Sequence, residues 1–300
     1  MSYNLITILG PTATGKTKLA AKLAKELDGE IISADSRQVY RHMNIGSGKD
    51  LEDYSMEGKI IPYHLIDVVE PTEEFNLYKF NQLFHQSFSE IKGKRKIPFL
   101  VGGTGLYISS ILRGYKLTQV DLSKKKLESF DGYSIEELRN ILIELNPKPH
   151  NTTDLLDRER IIKAIIVASA SVKSPSEKKP ISSLTIGIKL SRTEIKNRIT
   201  ERLKFRLKNG MVNEVEELLK SGISHDKLFF FGLEYKFIAL YLRKELTYND
   251  MFQKLNSAIH NFAKRQMTWF RKMEREGIKI NWIEGPDFER AKKIINENYL

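Results

Sequence analysis

The chain has no cysteine among its 300 residues. This excludes a disulfide framework, a thiol nucleophile, an iron–sulfur cluster and any Cys-ligated zinc. No apolar run approaches the ~18 residues that a membrane span needs. Met1-Ser2-Tyr3-Asn4 lacks the basic stretch and cleavage site of a secretory signal. The expectation is a soluble, cytoplasmic protein of one large or two modest domains. The six histidines are dispersed and show no metal-ligand spacing, and no repeat or low-complexity segment is present. Against these absences stand a hydrophobic content of 41%, enough for a packed core, and a net charge of +11.

The charge is unevenly placed. Residues 1–112 carry 13 basic and 13 acidic side chains, so the whole excess falls on residues 113–300. Basic residues concentrate between Lys189 and Lys208 and again between Lys264 and Arg275. A basic surface of this kind suits a polyanionic partner.

The first third alternates short apolar runs with helical patterns. Strands are expected at Leu5–Leu9, Glu30–Ala34, Ile60–Ile66 and Ile97–Val101, with helices over Lys16–Leu27 and Phe75–Ile91. Such alternation predicts βαβ units around a buried parallel sheet. After Arg113 the pattern turns helical, near Ile135–Leu145 and Asp157–Ala170, followed by a polar loop from Lys173 to Pro180. A fifth strand is expected at Leu184–Leu190, then mostly helix from Thr193 to Gly277, and an edge strand at Lys279–Ile283. The fold class is therefore α/β, a parallel sheet flanked by helices, and the glycine-rich Gly10–Thr17 after its first strand makes it P-loop NTPase-like. Residues 1–114 and 181–300 form its core and appended basic helices, and residues 115–180 form a helical insertion.

Gly10-Pro11-Thr12-Ala13-Thr14-Gly15-Lys16-Thr17 matches G-x-x-x-x-G-K-[ST] between a predicted strand and a predicted helix, the context that motif requires. Its glycines let backbone N–H groups wrap a phosphate chain. The helix N-terminus and Lys16 add positive charge, and the Thr17 hydroxyl can hold Mg²⁺. The motif does not name what the phosphates are attached to. No N-K-x-D or D-x-x-G element accompanies it, which counts against a GTPase, and no apolar strand ends in Asp-Glu, which counts against a motor ATPase. A transferase remains.

Two further strand ends carry chemistry. Asp35 follows the second strand and should face the P-loop, since ligands of open parallel sheets lie at the strands' carboxyl ends. It can hold Mg²⁺ through water, accept a proton, or simply cap a helix. Thr104 sits among Gly102, Gly103 and Gly105 after the fourth strand. It is either an exposed ligand-facing hydroxyl or part of a flexible turn.

Taken in order, GPTATGKT, ISADSRQVYR, the HLID at His64–Asp67 and VGGTGLY resemble the tRNA dimethylallyltransferase family. So do Arg198-Ile199, Arg202-Leu203, Gly210–Val215 and Ala263–Phe270. The resemblance covers essentially the whole chain. It implies transfer of a dimethylallyl group from dimethylallyl diphosphate to the N6 amine of the adenosine just 3′ of a tRNA anticodon. It further implies that Gly10 to Thr17 bind the diphosphate with Mg²⁺ at Thr17, and that Asp35, Thr104 and Arg202 serve catalysis. Contacts to the anticodon stem-loop are implied for Asp35, Ser36, Arg37, Gln38, Thr104, Lys126, Glu159, Arg160, Ile161, Ile162, Lys163, Lys264, Arg265 and Gln266. The chain departs from the family at Glu159 (usually Gln), at Lys163 (usually Arg), and at Phe231-Gly232-Leu233-Glu234-Tyr235, where I-G-Y-K-E is usual. A monomer is expected. Rival readings are an adenylate prenyltransferase, a P-loop nucleotide kinase and a non-catalytic RNA-binding switch. In the last long helix, Leu255, Ile259, Phe262, Trp269 and Met273 form an apolar stripe opposite Lys264, Thr268, Arg271 and Arg275, so Trp269 and Phe270 read as core.

Overall fold

A computed structural model describes residues 3–117, 119–120, 124–145, 157–170 and 181–299. The chain divides into two compact units, one of Met1–Gly114 with Pro180–Leu300, the other of Tyr115–Lys179.

The first unit starts with β1 (Leu5–Leu9), α1 (Lys16–Glu26) and β2 (Gly29–Ala34). A short hairpin follows, β3 (Ser55–Met56) with β4 (Lys59–Ile60), and then β5 (Tyr63–His64). Here the structure corrects the sequence expectation of one strand over Ile60–Ile66. Ile60 is 72% exposed in the hairpin. Pro62 has no N–H to donate, and Leu65 and Asp67 adopt positive φ values of 64° and 55°, so extended pairing stops after His64. Next come α2 (Leu77–Gly93), β6 (Ile97–Gly102) and α3 (Gly105–Leu112). Asn76 caps α2 by accepting from the Lys79 N–H at 3.0 Å, which is why that helix starts later than its apolar pattern does.

The chain returns to the first unit as β7 (Ser183–Lys189), numbered after the helices α4 (Lys124–Glu128), α5 (Ile135–Leu145) and α6 (Arg158–Ser169) of the second unit. It ends with α7 (Arg192–Lys208), α8 (Met211–Lys220), α9 (His225–Phe231), α10 (Leu233–Leu242), α11 (Tyr248–Arg275), β8 (Ile280–Glu284) and α12 (Phe288–Asn298). The six-stranded sheet has the order β5-β2-β6-β1-β7-β8, with every pair parallel.

Both sheet faces are covered, so its strands are continuous apolar runs rather than alternating ones. Leu5, Leu9, Ile32 and Leu100 point into one core with α2, α3, α7 and α11. Ile6, Ile8, Ile31, Phe99 and Ile186 point into the other, with Leu19 and Leu23 of α1 and Ile294 and Ile295 of α12. Phe270 is fully buried. Trp269 packs against the first core, and its indole N–H donates to Ser109 Oγ at 2.8 Å. Phe262 departs from the expected core stripe and faces a cavity.

The second unit has its own small core. Leu138 and Leu142 of α5 meet Ile161, Ile162, Ile165 and Ile166 of α6. Arg158 donates to the carbonyl of Phe130 at 2.8 Å, closing the preceding turn. The expected loop from Lys173 to Pro180 lies outside the described residues.

Candidate active site at the carboxyl ends of the strands

The loop after β1 is built by backbone geometry. Gly15 takes φ 79° at the N-cap of α1, and Ala13 takes φ 65°. A Cβ on Gly10 would lie 3.0 Å from the Ile188 carbonyl of β7, so only glycine fits without displacement. Thr14 Oγ1 donates to the Pro11 carbonyl at 2.9 Å, and Lys16 Nζ reaches the same oxygen at 3.4 Å. The Lys16 ammonium sits at the floor of a cavity. Desolvation lowers its pKa to about 8, against the pull of Asp35.

That cavity has a volume of about 400 Å³, within the ~300–1,000 Å³ of small-ligand sites. Thr12, Lys16 and Thr17 line one side, and Asp35 to Gln38 with Thr104 line another. Sequence reasoning placed these groups together from separate strand ends, and they do share one space. Asp35 Oδ1 accepts from the Arg37 N–H at 2.9 Å and, at 3.4 Å, from the Gln38 N–H. These bonds close a turn; no helix follows, so the N-cap reading is replaced by a turn-closing one. Oδ2 takes no protein hydrogen bond among the described residues. Thr104 Oγ1 accepts from the Ser36 N–H at 3.1 Å, tying the ends of β2 and β6 together.

The far wall comes from the carboxyl-terminal half. Arg202 on α7 donates through Nη2 to Thr12 Oγ1. Burial, reinforced by neighbouring Arg206, lowers its pKa to about 10. Arg206 is buried and clasps Asp50 at 2.9 and 2.8 Å. It lies against Gly48, where a Cβ would come within 2.7 Å of its guanidinium. Ile259, Phe262 and Arg265 of α11 complete the wall with Phe231 to Glu234. Arg206, Asp50 and Glu234 line the cavity without a site role assigned from sequence: Arg206 belongs to the basic run Lys189–Lys208, Glu234 to the segment that stands where I-G-Y-K-E is usual, and Asp50 follows the glycine pair Gly46 and Gly48. Glu214 fixes that glycine loop, accepting from the N–H groups of Asn44, Ile45 and Gly46 at 2.7, 2.6 and 3.0 Å and from the Tyr235 hydroxyl at 3.0 Å.

Other predicted contacts fall elsewhere. Gln266 is buried, accepts from the Thr12 N–H at 2.8 Å and donates to the Gly103 carbonyl at 2.9 Å, so both polar atoms of its amide are engaged within the protein. Ile161 and Ile162 are buried in the core of the second unit. Gln38 lines the cavity, but its amide is engaged by Ser33 Oγ and the Gly48 carbonyl, each at 3.0 Å. Lys126, Glu159 and Arg160 are exposed, with Glu159 paired to Lys163 at 2.6 Å. Lys264 is exposed beside a second groove of about 750 Å³ between α7 and α11. That groove is lined by Lys189, Arg192, Lys196, Lys264 and Arg271 and by no carboxylate.

The donor set fits a divalent cation of the hard, oxygen-preferring kind. Thr17 lines the cavity beside Asp35, Asp50 and Asp53. Among the described residues no cluster of three acidic or histidine side chains forms a cage. Such a set suits Mg²⁺ carried chiefly by phosphate oxygens and water.

The parallel sheet, the glycine loop opening α1 and the cavity at the strand ends define a P-loop α/β protein. Within that class the chain belongs to the IPP transferase family, whose family model matches residues 38–273; an isopentenyl transferase model matches residues 3–59. The "tRNA dimethylallyltransferase 1" of Syntrophus aciditrophicus is 49% identical over 302 residues, covering 99% of each chain. The crystal structure of a tRNA isopentenylpyrophosphate transferase from Bacillus halodurans superposes with a TM-score of 0.70 at 32% identity, over 98% of this chain and 94% of that one. A eukaryotic dimethylallyltransferase, described as acting on tRNA, shares the fold with a TM-score of 0.74 at 22% identity, over 99% of this chain and 77% of that one.

Proposed function

We propose that this protein transfers the dimethylallyl group of dimethylallyl diphosphate to the N6 amine of adenosine 37 in tRNA. The observation that carries this reading is the meeting of P-loop, Asp35 and Thr104 in one cavity with an apolar wall at Ile259 and Phe262. The P-loop amides, Lys16 and Arg202 hold the diphosphate. Ile259 and Phe262 receive the prenyl tail and exclude water from the allylic carbon. The amine nitrogen attacks that carbon, a C–N bond forms, the C–O bond to diphosphate breaks, and the departing proton passes to Asp35 Oδ2. Thr104 holds the Ser36 backbone, and through it the turn that aims Asp35. Thr17 would hold Mg²⁺, which when bound would supply charge neutralisation for the leaving group. Lys16 and Arg202 act on the same developing charge from the protein side.

The target base must leave the anticodon stack to reach Asp35. The groove between α7 and α11 offers cations for the RNA backbone, which orient the substrate without reading its sequence. Among the described residues no helix is long and apolar enough to cross a membrane, in keeping with a cytoplasmic site of action.

The test is to incubate the full chain with labelled dimethylallyl diphosphate and either unmodified tRNA or AMP. Label in tRNA is expected. Unlabelled tRNA rejects the reading. Label in AMP instead identifies an adenylate prenyltransferase, and phosphate transfer from ATP to a nucleoside identifies a kinase.

A further inference from the structure

Four carboxylates line the active cavity, and two have hydrogen-bond partners. Asp35 closes the turn after β2 through Oδ1. Asp50 is clasped by Arg206. Asp53 lies in the short helical turn Leu51–Tyr54, next to Asp50 and within the field of Lys18. The fourth, Glu234, stands in the first turn of α10, lines the same cavity, and has no side-chain partner among the described residues. Nothing in the prenyl-transfer chemistry above uses it. An acid placed beside a diphosphate site without a partner opposes anion binding, unless it meets a ligand group that wants it.

Adenine supplies such a group. Its exocyclic amine carries two in-plane N–H donors, and a ring nitrogen beside the amine is an acceptor. One N–H is the proton that Asp35 removes. We propose that Glu234 recognises the target base, its carboxyl accepting the second N6–H of adenine and donating its own proton to the adjacent ring nitrogen. This assignment rests on the prenyl-transfer reading. The pattern is the one by which a Gln amide pairs bidentately with adenine.

The surroundings shift Glu234 in the direction of the protonated form that this pairing uses. Burial raises the Glu234 pKa, and the Asp35 charge adds to it. The glutamate's own backbone N–H and the guanidinium groups of Arg206 and Arg202 oppose the rise without overcoming it. Gly232, just before α10, takes φ 72° and ψ −169°, which sets the direction in which this first turn enters the cavity wall. A base lacking the amine leaves both Asp35 and Glu234 without a donor, so the pair selects for an amino group at that ring position.

The test uses the full-length protein with Glu234→Ala and Glu234→Gln. Prenyl transfer by the unaltered protein is measured first; its failure rejects the transferase reading itself and is told apart from everything below. For Glu234→Ala the expected result is a roughly 10- to 100-fold loss of kcat/KM for tRNA with an unchanged Kd for dimethylallyl diphosphate. Its binding preference for tRNA with adenosine 37 over tRNA with purine riboside 37, read as the ratio of Kd values because a base without the amine cannot be prenylated, should fall by about tenfold. Glu234→Gln, which keeps an acceptor and a donor, should restore both to within about threefold. An alanine variant with normal kcat/KM and normal preference would overturn the assignment. So would loss of dimethylallyl diphosphate binding in both variants, which would make Glu234 a structural residue of the wall.

Discussion

Gln266 on α11 accepts a hydrogen bond from the backbone N–H of Thr12 in the P-loop at 2.8 Å, across 254 residues of sequence. Its amide nitrogen donates to the Gly103 carbonyl at 2.9 Å, so one side chain joins the loop after β1 to the end of β6. Gly103 is part of the fit, since a Cβ there would lie 2.3 Å from the same nitrogen. Gln266→Leu keeps the bulk and removes both bonds, leaving a buried carbonyl without its partner. The expected cost is about 1–3 kcal/mol of stability. Dimethylallyl diphosphate should bind about tenfold more weakly as the P-loop loses its brace. Denaturant melts and diphosphate titrations check this.

Asp35 separates structure from chemistry by oxygen atom. Oδ1 closes the turn to Arg37 and Gln38, while Oδ2 is left for the substrate. Asn in place of Asp keeps the turn-closing acceptor and removes the base. Asp35→Asn should therefore fold normally and bind dimethylallyl diphosphate as before, with kcat reduced by about 10²–10⁴. Single-turnover prenyl transfer measures it; an unchanged rate would leave Asp35 only its turn.

The two sites show what the sequence can and cannot disclose. β1 and α5 fall where their patterns place them, because a local run of apolar residues with fixed period needs no distant partner. The P-loop is legible for the same reason: spacing of glycines along one stretch dictates its shape. The family resemblance implies an RNA contact at Gln266 together with Lys264 and Arg265; those two are exposed, but one residue further round the helix the face turns inward, which the motif does not disclose. The clasp of Arg206 on Asp50 and the capture of three N–H groups by Glu214 join segments about 160–170 residues apart, and no periodicity encodes such pairings. β5 fell short of its apolar run because the backbone signs of Leu65 and Asp67 are set by the loop beyond, not by hydrophobicity.

Glu30 predicts an acid-sensitive element at the opposite end of the sheet. It is 2% exposed, and accepts from His64 at 2.9 Å and from Lys94 at 3.1 and 3.2 Å. Burial alone would raise its pKa, but the hydrogen bonds from His64 and Lys94 outweigh it and hold it below the usual carboxylate value. A depressed pKa contributes stability that is present above the unfolded value of ~4.3 and is lost as pH falls through the folded one. Glu30→Gln should cost about 1.5–3 kcal/mol at pH 7. The gap between the two proteins should narrow below about pH 4. Denaturation at pH 7, 5 and 3.5 reads this directly; a constant gap contradicts it.

The exposed amine of Lys264 belongs to the basic groove between α7 and α11. Removing one phosphate contact should weaken tRNA binding and lower the slope of log Kd against log salt by about one. Lys264→Ala measured from 50 to 300 mM salt tests this, with dimethylallyl diphosphate affinity as the control expected to stay the same. An unaltered slope removes Lys264 from the RNA surface.

Lys16 gives the diphosphate site a pH dependence of defined sign. Its pKa is lowered to about 8 by desolvation in the cavity, so the free protein loses the ammonium as pH rises through that value. The anion binds the charged form. Affinity for dimethylallyl diphosphate should therefore be nearly constant from pH 6.5 to 7.5 and fall above about pH 8, approaching tenfold per pH unit. Lys16→Arg keeps its charge over this range and should show no fall, though its bulkier guanidinium will bind more weakly throughout. Calorimetric titration of both proteins across pH 6.5–9.5 distinguishes the two profiles. Parallel falls would locate the titrating group elsewhere in the site.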